Sequence, residues 1–74
     1  MWILTEDKKQ IINTLKSERF YISKVAKNRF KVLHSRLGSV RSDLGTYDDE
    51  ELAITAIGYI FDSLDNGETC HTMF

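Results

Sequence analysis

Before Tyr47 the apolar residues come in short runs or alternate with polar ones; after it they recur at helical spacing. Trp2-Ile3-Leu4 and Ile11-Ile12 read as a short hairpin with Glu6-Asp7-Lys8-Lys9 as its exposed turn. Lys8 to Leu15 can also be written as a pair of helical turns. The strand reading is preferred because Asn13 and Thr14 interrupt the helical face and the apolar runs are short. From Phe20 to Val25 the alternation is clear: Phe20, Ile22 and Lys24 point one way, and Tyr21, Ser23 and Val25 the other. Phe30-Lys31-Val32-Leu33 alternates in the same manner. Asn28 tolerates positive φ, so the pair predicts a β-hairpin closed through Ala26-Lys27-Asn28-Arg29. Phe20, Ile22, Phe30 and Val32 would then share one face and supply the sheet side of the core. Leu37-Gly38-Ser39 suits a turn. Val40 to Leu44 suits a further strand, with Val40, Ser42 and Leu44 on one side, and Gly45 suits a backbone shape that a larger residue would resist.

The helix begins in Tyr47-Asp48-Asp49-Glu50-Glu51-Leu52. Asp48 suits the cap, Glu51 stands three residues on where it can reach back to the cap amide, and Tyr47 and Leu52 flank the cap as a staple. The helix is expected from Asp49 to about Asn66, with Gly67 as the residue that ends it. Ala53, Ala56, Ile57, Ile60 and Leu64 form the stripe expected to be buried. Ile54 and Phe61 lie on one flank, Leu52 and Tyr59 on the other. So wide an apolar arc requires either a curved sheet wrapped around the helix or a second subunit against Ile54 and Phe61. Trp2 and Phe20 are expected to be buried, because a small core needs large apolar groups. Met73 and Phe74 either dock over the sheet edge or fray. The predicted fold is α+β: a small, mostly antiparallel sheet packed by one C-terminal helix.

The chain of 74 residues makes one domain, 1–74. A core of this size buries a modest share of its surface, and pairing with a second copy is one way to complete it. The single cysteine, Cys70, excludes an intramolecular disulfide and offers no metal-site spacing. No secretory signal or membrane-spanning apolar run is visible, so the expected location is cytoplasmic, without membrane association.

The formal charge of −1 conceals a segregation. Lys16, Arg19, Lys24, Lys27, Arg29, Lys31, Arg36 and Arg41 lie in a segment whose acidic residue is Glu18, and Asp43 to Glu68 contains no Lys or Arg. Acidic residues favour a helix N-terminus, and basic ones protect a sheet edge, so structure and self-association account for most of this pattern. A second account is a nucleic-acid-binding ribbon with Arg29, Lys31, Arg36 and Arg41 as its contacts. A third is an acidic helix that binds a basic protein surface, as a phage or regulatory inhibitor would.

Two resemblances follow from these residues. Met1-Trp2-Ile3, Ile11-Ile12-Asn13, Phe30-Lys31-Val32, and Leu44-Gly45-Thr46-Tyr47 followed by Glu50-Glu51-Leu52-Ala53, with the late Met73, resemble an uncharacterised family of small Gram-positive and phage proteins. The resemblance covers nearly the whole chain and implies a compact β-rich domain closed by a helix, with no activity to carry over. The more basic middle and the terminal Phe74 depart from it. From about Tyr21 to Leu64 the order of strands, joint and Glu-rich helix also looks like the plant AP2 domain and the arm-site-binding domain of tyrosine integrases. That likeness implies a sheet face in a DNA groove, with Arg29, Lys31, Arg36 and Arg41 as loose counterparts. The plant domain's aromatic and arginine pattern is missing from the first strands.

Candidate chemistry is sparse. His34 reads as a surface or sheet-face residue. His71 adjoins Cys70, but neighbouring side chains do not make a metal cage or an oriented nucleophilic pair. The acidic run at Asp48–Glu51 is explained by the helix start, and Asp65-Asn66-Gly67-Glu68 by the helix stop. No catalytic residue, metal or cofactor is expected, and the chain reads as a non-enzymatic interaction domain that self-associates as a homodimer through Ile54 and Phe61.

Overall fold

The computed structural model describes residues 1–36 and 41–74, the side chain of Glu18 excepted. Its elements are β1 (Trp2–Leu4), β2 (Ile11–Asn13), β3 (Ser17–Ala26), β4 (Arg29–Arg36), β5 (Arg41–Tyr47), α1 (Glu50–Asp65) and β6 (Cys70–Thr72). The α+β class holds, with the strands divided between two sheets of order β2-β1-β6 and β3-β4-β5. All pairings are antiparallel except that of β1 with β6. The expected turn at Leu37-Gly38-Ser39 and the first residue of the Val40–Leu44 strand lie outside the described residues.

The first hairpin forms as its pattern implies, with Ile3 opposite Ile12. Its turn is held by Asp7, whose carboxylate accepts from the Thr5 hydroxyl at 2.7 Å and the Lys9 amide at 3.0 Å. Those bonds, led by the Thr5 hydroxyl, hold the Asp7 carboxyl below its ordinary range. Lys8 takes the left-handed conformation at φ 64°. The hairpin of β3 and β4 sets Ile22 opposite Val32 and Phe20 opposite His34. Asn28 does not adopt the positive φ expected of it; the register slips near the turn instead, leaving Val25 as an extra residue in β3.

α1 lies on the face of β3-β4-β5 that carries Phe30, Val32 and Tyr47, and Ala53, Ala56 and Ile60 are buried against it. Its small residues let the helix approach β4. Asp49, not Asp48, caps it: extended at φ −139°, it accepts from the Leu52 amide at 2.8 Å. The cap moves because β5 runs on to Tyr47, whose ring is buried in the core, so one more residue is needed before the chain turns. The Glu51 box and the Tyr47–Leu52 staple therefore do not form at the expected offsets. The helix stop is as expected. Gly67 has φ 69°, its amide donates to Leu64 at 3.1 Å, and the Glu68 amide donates to Ser63 at 2.9 Å, a Schellman arrangement.

The two sheets meet at a bulge in β5. Val32 pairs with Gly45 and Leu33 with Asp43, so Leu44 is extra and its side chain enters the core. The Glu6 amide donates to the Leu44 carbonyl at 2.9 Å, and the Thr46 amide donates to the Glu6 carboxylate at 3.2 Å. Gly45 is required at this joint, because a Cβ there would stand 2.9 Å from the Tyr47 hydroxyl and 3.0 Å from Glu6 Cβ.

The chain end docks. β6 pairs with β1, the Met73 amide donates to the Leu4 carbonyl at 3.0 Å, and Met73 fills the core between the sheets. Lys8 Nζ donates to the Met73 carbonyl at 2.8 Å and the Tyr47 hydroxyl to that of Phe74 at 2.9 Å. Burial, then the nearby Glu6 charge, pushes the Tyr47 hydroxyl up to about 12. Trp2, expected inside, is 50 % exposed, because the alternation that buries Ile3 turns its neighbour outward.

Candidate functional site

Both flanks of α1 keep apolar residues exposed, and the chain end contacts one of them. On one, Tyr59 meets the Phe74 ring edge-on at 5.6 Å, and Ser63 Oγ lies 2.7 Å from His71 Nδ1. The docked chain end contacts this side, while Tyr59 stays 52 % and Leu52 42 % exposed. On the other, Ile54 is 54 % and Phe61 66 % exposed. Leu64, placed by periodicity in the buried stripe, joins them as a half-exposed residue. Ile57, Ile60, Phe61 and Leu64 line a shallow apolar groove with Phe20 of β3. Helical period explains the grouping: positions 54, 57, 61 and 64 fall on one side, and that side overhangs β3. β3 is an edge strand of its sheet, while β5 at the other edge receives Glu6 of the first hairpin.

The opposite face of β3-β4-β5 is free of the helix. Register places Arg19, Tyr21 and Ser23 of β3, Arg29, Lys31, Leu33 and Ser35 of β4, and Arg41 and Asp43 of β5 on it. Arg19 stacks over the Tyr21 ring, its guanidinium carbon 4.3 Å from the centroid. Lys31 Nζ is 2.7 Å from the Asp43 carboxylate, a solvent-screened pair worth under about 1 kcal/mol. Of the four predicted contacts, Arg29, Lys31 and Arg41 share this face. Arg36 follows His34 by one period of alternation and stands on the helix side at the end of β4. Arg19 was not among the predicted contacts, although its alternation with Tyr21 was a usable signal.

The histidines are structural in placement. His34, expected on the surface or a sheet face, is 1 % exposed beneath the helix side of the sheet. Its Nδ1 lies 2.7 Å from Ser17 Oγ, and its Nε2 has no hydrogen-bond partner among the described residues. Burial, then the Arg36 charge, lowers its pKa below the ordinary 6.5. Burial likewise lowers His71, against an opposing pull from Glu68. Cys70 is exposed, and as neighbours in β6 it and His71 face opposite sides of the small sheet. Among the described residues, no cluster of His, Cys, Asp and Glu suits a metal ion and no helix is long and apolar enough to cross a membrane. No family model matches the chain, nor does any curated protein or solved structure.

Proposed function

We propose that this chain is a non-enzymatic interaction domain that works as a self-associated pair, joined across the open flank of α1. The observation that carries this reading is the apolar flank itself: Ile54, Phe61 and Leu64 stand exposed together along one side of the helix, beside the groove formed with Phe20. Contiguous exposed apolar groups of this kind mark interaction surfaces. The reading places the domain in the cytoplasm, where the exposed thiol of Cys70 stays reduced. Solution mass by sedimentation over a range of concentration tests it. A dimer that Phe61→Ser converts to a folded monomer supports it; a monomer at every concentration removes it.

The free sheet face favours a second reading, nucleic-acid binding. Arg19, Tyr21, Arg29 and Arg41 lie together there, while Glu50, Glu51 and Asp65 belong to the helix on the other side. Phosphate contacts of this kind weaken with salt. Duplex DNA and single-stranded RNA titrated at low salt, with Arg29→Glu as the control, decide it; no binding at low salt discards it.

A further inference from the structure

Resting on the self-association reading, we propose that the pair forms by antiparallel pairing of β3 with the β3 of a second copy, about a two-fold axis at Tyr21. The result is a continuous sheet of six strands with the two helix flanks side by side.

Interface size gives the first argument. The exposed parts of Ile54, Phe61 and Leu64 amount to on the order of 300 Å². A stable interface takes about 800 Å² from each partner. The flank alone falls short, and the surface adjoining it is the edge of β3. Phe20 belongs both to that edge and to the groove beneath Phe61 and Leu64. Among the described residues, β3 takes its backbone hydrogen bonds from β4, apart from the Ser17 amide, which donates to Thr14. Its outer edge therefore carries a row of backbone donors and acceptors open to another strand.

The register follows from the residues. The register slips of β3 lie near its two ends, so Arg19 to Lys24 is a regular, uninterrupted segment. An axis at Tyr21 sets Phe20 of each copy opposite Ile22 of the other on the helix side, and Arg19 opposite Ser23 on the free face. An axis at Phe20 would oppose Lys24 to Lys16, and one at Ile22 would oppose Phe20 to Lys24. Charge favours the same arrangement. Phe20 lies under the C-terminal half of α1, so the Ser17 end of β3 runs beside that half. Antiparallel pairing brings the Lys24 end of one strand alongside the other copy's helix end, which carries Asp65. Two-fold pairing repeats that contact on both sides.

Oxidative cross-linking in a Cys70→Ser background tests the register. At the axis the two position-21 Cα atoms stand about 4.5–5.5 Å apart, within disulfide reach. The two position-23 Cα atoms stand roughly 14 Å apart, beyond it. Tyr21→Cys should cross-link readily, Ser23→Cys alone should not, and Arg19→Cys mixed with Ser23→Cys should. Hydrogen exchange on the unmodified protein adds a check independent of the variants. The β3 amides that point away from β4 should gain protection as concentration rises. A dimer by mass without the Tyr21→Cys cross-link, or with unchanged β3 exchange, overturns the strand pairing and leaves self-association standing. A monomer by mass overturns both.

Discussion

His34 makes the stability of this domain sensitive to mild acid. The ring is 1 % exposed and its Nε2 has no partner among the described residues, so burial there disfavours the charged ring. The folded pKa lies below the ordinary 6.5, through burial first and the Arg36 charge second. As pH falls, the unfolded chain therefore takes up this proton before the folded one does. The stability tied to neutral His34 is fully present above about pH 6.5 and is lost as pH falls toward the folded pKa. The loss is up to about 1.4 kcal/mol for each pH unit in that window. For a domain of this size a loss of that full amount lowers the melting temperature by roughly 6–11 °C per unit. Asp7 enters only lower, since it starts from an ordinary 3.8 and is shifted down from it. The assay is thermal melting between pH 7.5 and 5.5, followed by circular dichroism, for the natural chain and His34→Leu. His71 titrates in both proteins and cancels in the difference. The natural chain should lose melting temperature more steeply than the variant. Parallel curves would refute the assignment of His34 as a buried neutral ring.

Three further outcomes test the packing. Gly45→Ala drives a Cβ against Tyr47 and Glu6 and should cost about 1–3 kcal/mol in urea unfolding; an unchanged midpoint would show that the joint between the sheets yields freely. Asp49→Ala should cost about 1 kcal/mol and Asp48→Ala much less, and the reverse order would move the cap back to Asp48. Met73→Ala empties a fully buried site and should cost about 2–5 kcal/mol, whereas a frayed chain end would lose almost nothing.

Local pattern made the central hairpin and the helix legible. Phe20, Ile22, Phe30 and Val32 alternate because one face of their strands is buried, and Gly67 marks the helix stop because it alone suits a positive φ there. The cap was ambiguous by one position, since Asp48 and Asp49 are equally good acceptors. Burial of Tyr47 decided between them, and that is a tertiary fact. β6 was beyond local pattern altogether. Cys70-His71-Thr72 has no periodicity, and its partner strand begins at Trp2. His34 misled because residue type argued for the surface while its place in the alternation argued for the core. Ile54 and Phe61 stand exposed along one flank, as their spacing implies, whereas the contact of Phe74 with Tyr59 on the other flank is tertiary and has no local signal. The basic face was partly legible: alternation joins Arg29 and Lys31, and it also separates Arg36 from them.

The pairing of β1 with β6 also bears on how the chain acquires its fold. Trp2 to Leu4 are synthesised before the rest of the fold, and the strand that completes their sheet spans Cys70 to Thr72. Contacts between such distant positions form slowly, because a long loop must close before they contribute. The central hairpin and α1 have local partners and can assemble while the chain is still growing. Ile3, in contrast, remains uncovered until Met73 arrives. The segment around Ile3 is therefore the last part of the core to be covered, and the arrival of β6 and Met73, rather than the formation of the hairpin or the helix, closes it.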